Sequence, residues 1–308
     1  MIYLEVRGRI GNQLFMFATA YMIQKLKGGK DTIVIDAVDN GSFSEGLVYE
    51  NSLVNYNLPN VKYLSTIRER HRPLYAYLIK KRQLIELIEP DNLNDRYNFA
   101  IKHQKLYNFL GLYHIQDGYA PFPKRFRKNI HVSGYFQSDK FFKEARQEIL
   151  YLYNIDEIID KSNYPHLDEI KNRNTVCISI KVQHNAGNPM YDVCHESYYE
   201  KAIKYMTDHV ENPLFFICSD NVEYVKEHLI DTSKYDVVCQ VGNFPVHISL
   251  GVMSKCKHFI IGNTSFGWWA QYLSSFAEKI VIAPTRWYNI EDKWQYDIYQ
   301  DNWVTMED

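Results

Sequence analysis

The chain has 308 residues, 46% hydrophobic and 23% charged, a globular composition that excludes a disordered polypeptide and allows one large domain or two ordinary ones. Lys plus Arg number 35 and Asp plus Glu 37, and the balance of −2 gives no overall field for nucleic acid. Five cysteines without a Cys-x-x-Cys pair read as reduced thiols, not as a zinc site or disulfide framework, and no leader-like start or apolar run of about 18 residues is present, so a cytoplasmic protein is expected.

In chain order, Tyr3 to Val6 reads as a strand, followed by the loop Gly8 to Gln13. Leu14, Phe17, Ala18, Tyr21, Met22 and Leu26 then recur at helical spacing as far as Gly28 and Gly29. Thr32 to Ile35 is the next strand, which closes a β-α-β unit and implies a parallel sheet. Gly8 to Gln13 therefore lies at the C-terminal end of a strand, where open α/β sheets bind ligands. With only Gly8 and Gly11, the three-glycine dinucleotide fingerprint is incomplete. Two readings stay open: a turn that merely reverses the chain, or a loop where Gly11 admits a ligand close to the backbone and Asn12 and Gln13 offer amide donors.

Residues 40 to 130 say little, apart from Ile67 to Arg82. There Arg68, Arg70, Arg72, Lys80, Lys81 and Arg82 interleave with Leu74, Tyr75, Tyr77, Leu78 and Ile79. A basic amphipathic helix of this kind either presents a solvated charged face or makes a peripheral contact with an anionic membrane. Ile130 to Tyr135 is a strand leading through Gly134 to Ser138 into a helix from about Asp139. The polar stretch Lys161 to Asn174, with Pro165, reads as the linker, which divides the chain into domains 1–165 and 166–308.

In the second half strands are expected at Val176–Ile180, Leu214–Cys218, Val237–Gln240, Phe259–Ile261 and Ile280–Ala283. Helices alternate with them at Ser197–Thr207, Val222–Leu229, His247–Cys256 and Phe266–Leu273. The fold class is α/β, two Rossmann-type domains facing a cleft. Asp220 follows an apolar strand, where a carboxylate accepts hydrogen bonds from ribose or a base amine, although an N-cap would use the same residue. Gly262 and Asn263 make a turn that sets Thr264 and Ser265 at a helix N-terminus, either as an ordinary cap or as a phosphate cradle. In the loop after Ile180, Lys181 or His184 would hold a diphosphate. No Gly-x-x-x-x-Gly-Lys-Ser/Thr loop occurs, and no Asp-x-Asp in this half, which points to a nucleotide sugar handled without a metal.

Several segments resemble the glycosyltransferase family 11 fucosyltransferases, the bacterial α-1,2-fucosyltransferases. They are Gly8-Arg9-Ile10-Gly11-Asn12-Gln13-Leu14-Phe15, Gly134-Tyr135-Phe136-Gln137-Ser138 and Ser219-Asp220. Met253 to His258 with Asn263-Thr264-Ser265-Phe266-Gly267-Trp268-Trp269, and Ala283 to Tyr288 with Asn302-Trp303, continue the match to the C-terminal end. The resemblance implies a GT-B-like fold and an inverting, metal-independent transfer of fucose from GDP-fucose to a galactoside hydroxyl, with an oligosaccharide or lipid-linked glycan as acceptor. It also implies that Gly11, Asn12 and Gln13 approach the donor, that Asp220 holds the nucleoside, and that Asn263, Thr264, Ser265 and Phe266 hold the diphosphate.

One motif departs from the family. Where the family has His-x-Arg-Arg-Gly-Asp, this chain reads Lys181-Val182-Gln183-His184-Asn185-Ala186, with Gln183 and His184 in the places of the arginines. Losing one charge-assisted contact to phosphate costs about 1.5–3 kcal/mol, which Lys181 offsets in part as a point charge. The general base is assigned to His184 or Asp192. Three outcomes stand open: a fucosyltransferase with a rewired phosphate site, a relative using another sugar nucleotide, and a catalytically silent binding protein.

Overall fold

The computed structural model describes residues 1–37, 50–64, 66–182, 187–242 and 244–308, with the backbone alone at Ile67. It forms two compact units, Met1–Leu152 with Asp292–Ile298, and Tyr153–Glu291 with Tyr299–Asp308. The division falls ahead of the stretch 161–174 read as a linker. The reason is packing: Ile155 and Ile159 press on Gly251, leaving no room there for a Cβ, and Lys255 pairs with Asp156, so the short helix Asp156–Lys161 belongs to the second unit.

The first unit carries strands β1 (Ile2–Glu5), β2 (Ile33–Asp36), β3 (Val61–Tyr63), β4 (Leu112–His114) and β5 (Ile130–Ser133). They pair in the order β3-β2-β1-β5-β4, all parallel. Every residue of β1, β2, β4 and β5 is buried, as a sheet covered on both faces requires. The first helix runs Ile10–Leu26, so Gly11, Asn12 and Gln13 form its first turn instead of a loop. It starts early because the apolar stripe already begins at Ile10, which is buried with Leu14. The basic stretch from Ile67 is likewise two helices, Ile67–Arg70 and Pro73–Glu86, because Pro73 can only begin a helix.

Two of its arginines turn inward to buried carboxylates at the ends of β1 and β2. Arg70 grips Asp36 through two bonds of 2.7 and 2.8 Å, and the Tyr75 hydroxyl donates to the same carboxylate at 2.5 Å. Arg82 lies 3.1 Å from Glu5, which also takes Arg7 at 2.8 Å and faces His131 at 3.4 Å. Burial raises the Glu5 carboxyl, but His131, Arg7 and Arg82 outweigh it and hold the group well below the usual carboxylate range. The same burial pushes His131 down.

The second unit carries β6 (Thr175–Ile180), β7 (Leu214–Ser219), β8 (Asp236–Cys239), β9 (His258–Ile261), β10 (Val281–Pro284) and β11 (Val304–Met306). All pairings are parallel, in the order β11-β10-β9-β6-β7-β8. Numbered from β6 this is the doubly wound order 3-2-1-4-5-6, and the chain changes direction between β6 and β9. The five cysteines carry no disulfide. Among the described residues no helix is long and apolar enough to cross a membrane.

Just past β5, Gly134 has φ +137°, and a Cβ built there would stand 1.8 Å from the Ile115 carbonyl oxygen. Gly134→Ala is therefore expected to destabilise the first unit by about 3 kcal/mol or more, read as a fall in denaturant midpoint. A midpoint equal to that of the wild type would show that the turn relaxes freely.

Candidate functional site

The switch point between β6 and β9 is where a doubly wound sheet opens a crevice, because the loops leaving the two strands part in opposite directions. A cavity of about 520 Å³ lies there, within the usual size of a small-ligand site. Ile180, Lys181 and Val182 enter it from β6 and Gly262, Asn263 and Thr264 from β9. Tyr199, on the helix Glu196–His209, supplies a buried ring beside it.

The rim at β9 is built by close packing. The helix Ser265–Leu273 sinks Trp268 and Trp269 completely into the core. Its N-terminus presses on β6 so tightly that a Cβ on Gly267 would come within 2.8 Å of the Ser179 hydroxyl. Thr264 is the N-cap, its side chain accepting from the Gly267 N–H at 3.1 Å. The ordinary-cap reading of Thr264 is thus part of the structure. The cap occupies the third N–H of the helix, and among the described residues no backbone carbonyl accepts from the first two, those of Ser265 and Phe266. Those two donors and the helix dipole favour an anion. Ser265 and Phe266 are half-buried and follow Thr264, the last residue on this side to line the cavity.

Asn263 lines the cavity, yet its amide is committed: it donates to the carbonyls of Tyr191 at 2.9 Å and Trp287 at 3.0 Å. It works as a joint between two loops, not as an exposed donor. Asp220 is exposed and accepts from the Val182 N–H at 2.8 Å, tying the loop after β7 to the loop after β6. The N-cap of the next helix is Asn221, not Asp220. Gln13 is fully buried, donating to the carbonyls of Gly8 and Glu50 and accepting from the Ser52 N–H. Its side chain ties the start of the first helix to the segment at Glu50 and Ser52. Asn12 accepts from Gln137 at 2.8 Å, which joins two of the motifs singled out in the sequence, and Gly11 is buried in the helix turn. Gln183 and His184 lie outside the described residues.

Asp192 lines the cavity with its carboxylate engaged. It accepts from the Gly187 N–H at 2.8 Å and faces His195 Nε2 at 3.3 Å. His195 was not foreseen. Its Nδ1 bonds Asp308, whose carboxylate also accepts from the His195 N–H at 3.1 Å and the Ser197 hydroxyl at 3.0 Å. The bond to Asp308 pushes the imidazole up. The spacing Asp192 to His195 was visible in the sequence, but Asp308, 113 residues on, was not. Beside these groups, burial raises the Cys194 thiol to about 12, so it stays protonated.

A cavity at a switch point, with a helix N-terminus and a lysine to meet phosphates and carboxylates to accept from hydroxyls, suits a nucleotide. The family model for Glycosyl transferase family 11 matches residues 1–307. The chain belongs to glycosyltransferase family 11. It is 25% identical, over 332 aligned positions spanning 99% of this chain and all of the other, to the O-antigen biosynthesis glycosyltransferase WbnK of Escherichia coli. It is also 27% identical over 185 positions, 58% of this chain and 63% of the other, to an alpha-1,2-colitosyltransferase of Escherichia coli. In fold it is similar to NodZ alpha-1,6-fucosyltransferase soaked with GDP-fucose, at TM-score 0.52 and 12% identity over 88% of this chain and 91% of that one. The fucosyltransferase NodZ from Bradyrhizobium gives TM-score 0.51 at 12% identity, covering 88% and 92%. The family 11 chain is thus a glycosyltransferase of GT-B-like fold with two Rossmann-type units.

The clamp on His195 yields a pH prediction. Its folded-state value lies above the ordinary 6.5, so the folded protein holds the proton more tightly than the unfolded chain. The stabilisation is fully present below about pH 6.5, while Asp308 stays ionised, and is lost as pH rises through the raised value. His195→Gln should therefore lower the melting temperature at pH 6, and the gap to the wild type should close as the pH is raised. A gap independent of pH would refute a charged clamp.

Proposed function

We propose that this family 11 enzyme transfers fucose from GDP-fucose to a galactoside hydroxyl in α-1,2 linkage, inverting the anomeric carbon and using no metal. The observation that carries the reading is the cavity at the β6/β9 switch point with the helix N-terminus at its rim. The nucleoside lies against Ile180, Val182 and Tyr199, and its diphosphate meets the N–H groups of Ser265 and Phe266, the Ser265 hydroxyl and Lys181. The acceptor oxygen attacks the anomeric carbon as the bond to the diphosphate oxygen breaks, GDP leaves with the electron pair, and the hydroxyl proton passes to a base. The charge that develops on the leaving diphosphate is met by donors already in place.

Two relatives bear on the donor and the linkage. One is named for an α-1,2 transfer, and the NodZ structure was soaked with GDP-fucose. The name of the first, a colitosyltransferase, is also what favours a second reading, transfer of a different sugar from its nucleotide. A glycan carried on a lipid is the acceptor this reading favours, and the helix Pro73–Glu86 offers a surface for it. Leu74, Tyr77 and Leu84 are exposed on one stripe, with Leu87 and Ile88 after the helix, and Lys80 and Lys81 lie beside them.

Calorimetric titration with GDP, GDP-fucose and a second GDP-sugar separates the readings. Binding of GDP and turnover of GDP-fucose alone support fucose; no binding of any nucleotide would sink the donor site. Lys181→Ala should weaken GDP binding about tenfold, and an unchanged dissociation constant would remove Lys181 from the diphosphate. Phosphatidylglycerol vesicles should sediment the protein at low salt and release it at high salt. Equal amounts pelleted with and without vesicles would dispose of the membrane contact.

A further inference from the structure

The chain leaves the end of β10, next to β9 in the sheet, through Thr285, Arg286 and Trp287. Its course is fixed on both sides of Arg286. The Thr285 N–H donates to the Met306 carbonyl at 3.0 Å, which continues the pairing of β10 with β11. Trp287 is buried against Tyr299 and Trp303, with ring centres at 5.8 and 6.4 Å, and its carbonyl accepts from Asn263 at 3.0 Å. Two residues on, the Asn289 N–H donates to the Met190 carbonyl at 2.9 Å and its side chain to the Asp192 carbonyl at 2.7 Å. Asn263 and Asp192 both line the cavity at the switch point, so the turn after β10 is laced to that cavity from two sides.

Arg286 itself is left over by this lacing. It is exposed, and among the described residues its guanidinium makes no hydrogen bond and no ion pair. The carboxylates around His195 are engaged elsewhere. Asp308 bonds the His195 ring and accepts from the His195 N–H at 3.1 Å and the Ser197 hydroxyl at 3.0 Å. Asp192 accepts from the Gly187 N–H at 2.8 Å and faces the same ring at 3.3 Å. His195 feels Arg286 as a like charge that opposes the upward push of Asp308 on its imidazole, and His195 lines the cavity. Two neighbouring cations, one of them without a counter-charge, repel each other until an anion is bound between them.

The position of Arg286 decides which anion. Asn263, which holds Trp287, stands two residues ahead of Ser265, the first residue of the helix Ser265–Leu273. Arg286 and that helix start therefore share the β9 flank of the cavity, while Lys181 enters from β6. The lining alone sets Asp192, Glu196 and Glu200 against Lys181 and His195, a balance short of positive charge for a ligand with several phosphate oxygens. A guanidinium makes up the shortfall and does so with shape, since its parallel N–H groups match two oxygens on one phosphorus. With Thr285 and Trp287 fixed, only the side chain of Arg286 has to order when the anion arrives.

We propose that Arg286 binds the diphosphate of the nucleotide-sugar donor, with its paired N–H groups on the oxygens of one phosphate. When the bond from the anomeric carbon to the diphosphate oxygen breaks, the electron pair stays on that diphosphate, and the guanidinium meets part of the added charge. The assignment rests on the donor reading of the cavity, and inorganic diphosphate used beside GDP keeps the two apart. In calorimetric titrations of the full chain, Arg286→Gln should weaken binding of both GDP and inorganic diphosphate about tenfold. Its melting temperature should stay at the wild-type value, because the side chain it replaces is exposed. Arg286→Lys, which keeps the charge and loses the fork, should lie between the two. Wild-type affinities in Arg286→Gln, or a loss accompanied by a lower melting temperature that Arg286→Lys shares, would overturn the assignment and leave the donor reading standing. Binding of inorganic diphosphate that Arg286→Gln weakens, in a protein that binds no GDP, would keep Arg286 as a diphosphate ligand and remove GDP from the donor reading. A wild type that binds neither ligand would overturn both.

Discussion

A parallel sheet covered on both faces leaves a chain one place for polar chemistry, the loops at its strand ends. In β1, β2, β6, β7 and β9 every residue is buried, and the strands pair through their backbone N–H and C=O groups. Side chains that must meet water or a ligand are pushed to the residues just beyond: Lys181 after β6, Asp220 after β7, Gly262 to Thr264 after β9, Arg7 after β1 and Asp117 after β4. Two cavities follow from this constraint. One uses the switch point of the second sheet, the other the strand ends of the first.

Carboxylates at those strand ends need partners, and their partners shape the neighbouring helices. Asp36 is almost fully buried at the end of β2, and a carboxylate there would be costly to bury without the two bonds from Arg70. Glu5 plays the same part at the end of β1, taking Arg7 and Arg82. The basic stretch from Ile67 is therefore divided in use. Arg70 and Arg82 neutralise the sheet from within, while Lys80 remains exposed at the surface. Cations counted along a helix say little about a surface until it is known which of them a buried acid has claimed.

This sets what could be read from sequence. The long apolar runs of the second half, such as Val176 to Ile180 and Leu214 to Cys218, announced their strands because a buried parallel strand is apolar throughout. β3, β4 and β11 have three residues each, too short for any period, and went unseen. Residues at the β6 and β9 ends were found from their place after strands. What periodicity cannot show is how a side chain is already occupied. Gln13 looked like a free amide until Glu50 and Ser52, more than thirty residues on, proved to hold it. His195 needed Asp308, and Asn263 needed the carbonyls of Tyr191 and Trp287. Each of these is a long-range hydrogen bond, and the family resemblance named Gln13 and Asn263 without naming their partners.

The same distinction bears on the altered Arg-Arg motif. The cavity at the β6/β9 switch point carries Asp192, Glu196 and Glu200 in its lining against Lys181 and His195, so its charge by itself does not favour a diphosphate. Two of these groups are not independent, because His195 lies between Asp192 and Asp308 and its proton is held by them. In the proposed reading the diphosphate meets Lys181 and the start of the helix Ser265–Leu273. The helix end is suited to this because its donors are backbone groups, fixed by the packing of Trp268, Trp269 and Gly267, and cost no side-chain ordering when an anion arrives. A site that rests on backbone donors more than on arginines depends on the geometry of that helix start, and Gly267 against Ser179 is what keeps it there.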